Sequence, residues 1–316
     1  MRSRCRRQNP TVHVVALAAV VSMLLIAAQP AQAVTPVKVV GTKAYEDDGR
    51  SNGTYVGWTA NTLKHPTHWD ALARRVDGTF AFRLNARGTQ GFMADMWQGT
   101  DKALFQQTVA GSSDLFLFDL SSRTRHRLPF ANTADWEWGG RISDTWVLFI
   151  RDLNANATEN LVLMKRATGG SLKLLSVSDT KKLIITGTVG ERFASWTVCG
   201  QTCTAYLYNI GKKHVRTIPT VRNRAQYAPV VDEAANVVYY ARSGAACGSN
   251  VSVWRLPVGL SGSPTKILAL PKGIDMNWAA SLAPRKGSAK LDLLFTRIDC
   301  SKGQYDVYVA RGVSEI

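Results

Sequence analysis

Past residue 33 the chain offers almost nowhere to place a helix, because apolar residues at three- and four-residue spacing are hard to find. It also lacks the short motifs that mark common chemistries. No G-x-S-x-G occurs, which excludes the strained nucleophile turn of the α/β-hydrolases. H-E-x-x-H, a P-loop and G-x-G-x-x-G are missing too, and with them the usual marks of zinc peptidases, NTPases and dinucleotide enzymes. Histidine is scarce, at five residues, and acid is short, with 23 Asp+Glu against 39 Lys+Arg.

What is present begins with an export signal. MRSRCRR carries four arginines and no acid, VVALAAVVSMLLIAA (14–28) is an apolar core, and Ala31 and Ala33 occupy the small-residue positions of a cleavage site. The other reading is an uncleaved anchor, for which the apolar run is shorter than the ~20 residues that span a bilayer comfortably. The Arg6-Arg7 pair leaves twin-arginine export open beside the general route. Cleavage after Ala33 divides the chain into a signal peptide, 1–33, and a single domain, 34–316, that is secreted or held in the cell envelope. Loss of the four leader arginines takes the formal net charge from +16 to +12. Such a charge draws polyanions, which at a bacterial surface means wall polymers or phospholipid headgroups. Nucleic acid is not expected, since no recognised binding module is present.

Cys5 leaves with the signal, and four cysteines remain: Cys199, Cys203, Cys247 and Cys300. An even number in an oxidising compartment reads as two disulfides. Cys199 and Cys203 flank GQT between two apolar runs, so a tight hairpin sets them face to face. Cys247 and Cys300 then pair by elimination. Metal binding by this set is disfavoured because no histidine lies at ligand spacing.

The chain repeats itself. LFLFDLSSRTRHRLP (115–129) and AYLYNIGKKHVRTIP (205–219) align without gaps, apolar on apolar and proline on proline. Related apolar runs stand at 71–76, 161–166, 251–256 and 306–311, each preceded by a run with an aromatic inside. Those aromatics, Trp58, Phe105, Phe149, Trp196, Tyr240 and Phe295, mark six units 44 to 55 positions apart. β-Branched and aromatic runs with Gly, Asn, Asp and Ser between them are strand and turn signals. Four strands in ~45 residues is the plan of a propeller blade. The expected fold is therefore all-β, a six-bladed β-propeller. Basic segments such as TRHRLP, SLKLLS, HVRTIP and TKILAL read as outer edge strands, where Lys, Arg and Pro discourage pairing by other chains. The sixth unit has no outer strand of its own, so Val37–Gly41 is expected to add beside Asp306–Arg311 and close the ring.

Two segments, SLAPRKGSAKLDLLFTRIDCSKGQYDVYVAR (281–311) and APVVDEAANVVYYARSGAACGSNVSVWRLP (228–257), carry the plan most fully. In this order the chain resembles the TolB-like six-bladed propellers, over roughly Thr54 to Arg311. The family's Ser-Pro-Asp-Gly turn is absent, with APRKG its nearest echo, and there is no room for the α/β domain that precedes the propeller in TolB. The resemblance implies a binding platform, of a kind that in some members rides beside a catalytic domain. A monomer without cofactor or metal is expected.

The remaining polar clusters carry weaker signals. His65, His68 and Asp70 in KHPTHWD lack a helix to fix them as ligands. DLNANATEN (152–160) resembles a calcium loop but has Ala157 for the glycine and Leu163 for the twelfth-position glutamate. Asn52, Asn156 and Asn250 begin glycosylation triplets. Asp95, Asp135, Glu137 and Asp275 are candidates for a carboxylate pair, whose convergence the sequence does not decide. The segments FMADMWQ, ADWEWGGR, NRAQYAPV and IDMNWAAS, at the starts of innermost strands, carry the most promising set. They bring Trp97, Trp136, Trp138, Tyr227 and Trp278, with Asp95, Glu137, Arg141, Arg224 and Asp275, to similar stations around the channel mouth. Aromatic faces with a few polar groups suit a glycan or a protein segment; the same rings also suit wedges between blades. The candidate ligand-binding residues are Trp136, Glu137, Trp138, Arg141, Tyr227, Trp278, Asp275 and Asp95. A binding module for an envelope protein or glycan is expected, with a carbohydrate-active or hydrolytic enzyme in the channel mouth as the alternative.

Overall fold

A computed structural model describes residues 35–41, 45–62, 65–109, 111–153, 158–285 and 291–313. The leader at 1–33 and the loop residues Asn154, Asn156 and Ala157 lie outside them. The described residues form six four-stranded antiparallel sheets, arranged as the blades of a propeller. The innermost strands are Glu46–Ser51, Gly91–Trp97, Trp136–Ile142, Leu183–Val189, Ala225–Asp232 and Ile274–Pro284. Each touches the next around the ring, and the sixth touches the first.

All six marker aromatics fall on second strands, and all are buried. A second strand lies between two blade interfaces, so both of its faces need apolar side chains. That is why WVLFIRD and FASWTVC read as continuous apolar runs rather than alternating ones. Consecutive residues still point opposite ways: Leu104 packs toward blade 3 and Phe105 toward blade 1. Six apolar clusters result, one in each interface between neighbouring blades.

The repeated passage keeps its register. Phe116 pairs with Arg127 and Leu117 with His126 in blade 2, while Tyr206 pairs with Thr217 and Leu207 with Arg216 in blade 4, every number raised by 90. The turns match as well, since Arg123 and Lys213 both adopt a left-handed backbone. Both outer strands, Thr124–Arg127 and His214–Thr217, are exposed throughout, as edge strands rich in Arg and His should be. Blade 5 departs from this pattern. Its outer strand Thr265–Ala269 buries Ile267 and Leu268 against the blade 5–blade 6 cluster.

Closure is as expected. Pro36–Val40 pairs antiparallel with the last strand, Pro36 opposite Ala310 and Val37 opposite Val309. Lys38 reaches Asp306 at 2.8 Å, Val40 joins Val56 in the blade 6–blade 1 cluster, and Arg74 donates to the Val39 carbonyl at 2.9 Å. The disulfides form as read: Cys199 and Cys203 are cross-strand partners with Cα atoms 4.0 Å apart, and Cys247 bonds Cys300 with Cα atoms 6.0 Å apart.

The up-and-down order of every blade sorts its loops onto two faces. One face holds the starts of the innermost strands and the second-to-third hairpins, including both disulfides. The opposite face holds the first-to-second turns, which are laced to their neighbours: Asn52 to the Thr100 carbonyl at 2.6 Å, and Trp97 Nε1 to Asp144 at 2.7 Å. Replacing a marker aromatic should show how much each interface contributes. Phe295→Ala is expected to lower stability by about 3–5 kcal/mol, and Phe80→Ala, at a side chain 90% exposed, by less than ~0.5 kcal/mol. Urea unfolding of the oxidised chain reads both, and similar values would contradict the assigned packing.

Candidate functional site

An innermost strand has a partner on one side only, so its other edge turns toward the axis. There the six strands crowd, and each is bulged where it pairs with its second strand, at 47–50, 93–95, 138–141, 186–189, 227–230 and 276–280. Small residues sit in the bulges for a steric reason. A Cβ added at Gly187 would lie 2.3 Å from the Pro229 carbonyl oxygen, and one at Gly140 would lie 2.6 Å from Leu104.

Bulging strips carbonyls of their strand partners, and side chains from adjacent blades take them over. Arg50 Nε donates to the Ala94 carbonyl at 2.9 Å, and Arg141 Nη1 donates to the same oxygen at 2.6 Å. Arg141 also donates to Gly187 O at 2.7 Å, Gly140 O at 2.8 Å and Thr186 O at 3.1 Å. Ser281 donates to Gly49 O, Ser195 to Pro229 O and Thr186 to Gly139 O. Both guanidinium groups are buried, and Nη2 of Arg50 has no hydrogen-bond partner.

Above this layer lies a cavity of about 230 Å3, with Asp48, Phe92, Trp138, Arg141, Thr186 and Ala279 among its walls. Burial, and then the neighbouring Asp47, push the Asp48 carboxyl up to about 6, against the pull of Arg50, Arg141 and Thr59. Burial likewise raises Asp95, and burial with the Arg50 charge brings Arg141 down to about 9. The axis thus concentrates two buried arginines and two half-buried carboxyls, without a direct ion pair between them.

The candidate residues divide. Trp136 is 42% exposed and Trp278 45% exposed, on innermost strands of opposite blades. Trp138 and Arg141 line the cavity. Asp95 lies beside them and accepts the Ile142 N–H at 3.0 Å, tying blade 2 to blade 3. Glu137 is fully buried; its carboxylate takes Arg151 at 2.9 Å and the Thr133 hydroxyl at 2.7 Å, so it faces away from the mouth. Tyr227 is buried and donates to Asp275 at 3.0 Å, while Asp275 also accepts the Gly248 N–H beside the Cys247–Cys300 bridge. Trp97 is a buried wedge between blades 2 and 3. Some rings are therefore core and others are mouth. His68 Nε2 lies 3.5 Å from Asp70, which Arg83 holds at 2.8 Å on blade 1.

Sequence reading missed Asp48 and Arg50, because EDDGRS has no apolar residue to mark it as a strand. A signal existed: Gly49-Arg50 precedes Trp58 by the interval at which Gly140-Arg141 precedes Phe149.

No family sequence model matches the chain, and no characterised protein matches it by sequence. Solved structures match it in shape. TolB from Acinetobacter baumannii is 12% identical with a TM-score of 0.53, over 86% of this chain and 66% of that one. A putative TolB from Agrobacterium tumefaciens is 11% identical with a TM-score of 0.55, over 85% and 91%. An oligogalacturonate lyase in complex with manganese is 11% identical with a TM-score of 0.50, over 88% and 98%. The chain is a six-bladed β-propeller, similar in fold to these TolB structures. At such identities the likeness is one of fold.

Asp48 makes the electrostatics of the axis measurable. A carboxyl raised by folding contributes stability that is full below its unfolded value near 4 and is lost as pH rises to about 6. Asp48→Asn keeps a residue type that tolerates the left-handed backbone at this position and removes the titration. Between pH 4 and 6.5 the wild type should lose ~1–3 kcal/mol relative to this variant. Parallel pH profiles of the two unfolding midpoints would rule that out.

Proposed function

We propose that this chain is an exported binding module of the cell envelope or its exterior, and that its ligand, a protein segment or a glycan, seats at the channel mouth. The observation that carries this reading is the pair of exposed tryptophans, Trp136 and Trp278, on opposite blades, with a recessed polar floor near them. Large rings left in water supply contact area at low cost in side-chain entropy, and concave sites of this kind combine them with few polar groups. Leu153, 36% exposed, follows the second strand of blade 3 on the same face and extends the apolar surface. The two disulfides fit an oxidising compartment.

The enzyme reading keeps one specific support: Asp48 opens on the cavity with its carboxyl held at about 6, a value suited to proton transfer near neutrality. The lyase of similar fold shows that such a propeller can host carbohydrate chemistry in another protein. Glu137, a carboxylate-pair candidate from the sequence, is engaged by Arg151 and is not the acid of this reading. Turnover of a glycan panel, abolished by Asp48→Asn, would favour this alternative.

Binding at the mouth is tested by capture from envelope extracts. Trp136→Ala and Trp278→Ala should each weaken capture by roughly tenfold or more, with unfolding midpoints unchanged and little response to salt. Capture that survives both substitutions would remove the mouth as the site.

A further inference from the structure

The face opposite the mouth carries a second feature, at the seam where the N-terminal strand closes the ring. A groove of about 560 Å3 runs there between blade 6 and blade 1. Its floor is apolar, made by Val39, Val56, Leu294 and Val309. Its rim carries Lys38, Arg74, Arg75, Arg285 and Arg311 beside two acids, Asp77 and Asp292, and so is cationic on balance. Lys38 and Arg75 engage Asp306 and Asp77, and Arg285 engages Asp292, but the Arg311 side chain has no hydrogen bond or ion pair among the described residues.

Apolar side chains stand out from this rim. Val37 on the closing strand is 47% exposed, and Val76, at the start of the loop between the third and outer strands of blade 1, is 53% exposed. Phe80, in the same loop, is 90% exposed. Nothing in the fold uses this ring: it belongs to no apolar cluster, and the outer strand that follows it has only two residues, Phe82–Arg83. A projecting phenylalanine in the loop that Val76 opens, on the same face as these guanidinium groups, has the composition of a surface that enters the headgroup region of a membrane. There the ring reaches the acyl boundary while the cations meet phosphate.

We propose that this seam face docks on an anionic phospholipid surface, Phe80 and Val76 entering the interface and Lys38, Arg75, Arg285 and Arg311 lying against lipid phosphates. A soluble polyanion would engage the cations and leave Phe80 in water. A protein partner seated in the groove would cover its apolar floor and need not touch Phe80, which lies outside the groove's walls. Among the described residues no helix is long and apolar enough to cross a membrane, so this contact would be a reversible one. It would leave the mouth on the other side open to a ligand, and it stands independently of what the mouth binds.

Co-sedimentation with vesicles tests the idea, using the chain as isolated from its host and variants in the same form. The probes are phosphatidylcholine vesicles with and without ~30% phosphatidylglycerol, and soluble polyphosphate as competitor. Binding should need the anionic lipid and fall steeply between 50 and 300 mM salt, as screening requires. Phe80→Ser should weaken it roughly tenfold, from the lost burial of one aromatic ring, and Arg311→Ser roughly fivefold. Trp136→Ala should leave it unchanged. Both seam positions are exposed, and circular dichroism with unfolding midpoints will show that the variants fold. Wild type that fails to bind anionic vesicles at low salt would overturn the proposal. So would binding indifferent to Phe80→Ser, which would mean an electrostatic rim that takes any polyanion.

Discussion

Six sheets converging on one axis create a hydrogen-bonding problem before they create a site. Each innermost strand presents an unpaired edge to the centre, in a space too narrow for another strand, and buried backbone groups left without partners are costly. The Ala94 carbonyl shows how the chain answers. It receives Arg50 from blade 1 and Arg141 from blade 3, so one oxygen of blade 2 joins three blades. Serine and threonine hydroxyls do the same elsewhere around the ring. Arginine suits the task because its rigid fork offers five donors and satisfies several carbonyls at once.

The properties of the mouth follow from that solution. Burying two guanidinium groups at the axis requires compensating acid nearby, and Asp48 and Asp95 supply it without forming tight pairs. Bulging the strands to relieve crowding turns residues out of register, which is how Trp278 comes to stand in solvent within a strand whose neighbours Met276, Ala279 and Ala280 are buried. The features on which the proposed recognition rests, exposed rings near a half-buried charged floor, follow from closing the centre. The basic outer edges belong to a separate requirement, the protection of open strands, and the seam groove to a third, the joining of the two chain ends.

How much of this was legible in the sequence depends on which forces leave a mark there. Burial on both faces leaves a strong one, and so the second strands, their marker aromatics and the blade count could be read from runs such as WVLFIRD. Register was legible for the passage at 115–129 and 205–219 because turn and strand lengths repeat without a gap. Cysteine pairing followed from the hairpin around GQT and from elimination. The mouth was legible only in part. Trp136 and Trp97 look alike in sequence, each a tryptophan at one end of an innermost strand, and only three-dimensional packing decides that Trp97 wedges between blades while Trp136 meets solvent. Glu137 looked available because its partner Arg151 lies on the next strand, and cross-strand pairing needs the register to be known. EDDGRS escaped as a strand because its side chains serve the axis and not an apolar interface, so the pattern that betrays other strands is absent from it.

The strand Pro36–Val40 precedes the first blade yet finds its neighbour, Gln304–Ala310, only in the sixth. A ring fastened in this way remains an open arc until the sixth blade has been made. Partial chains can stack blades but not shut the circle, and the last interface forms from segments about 270 positions apart, the kind of contact that loop-closure entropy makes slow. A chain that lacks the sixth blade keeps an exposed sheet edge and a bare apolar flank on blade 1, both of which invite proteolysis, whereas the closed circle hides them.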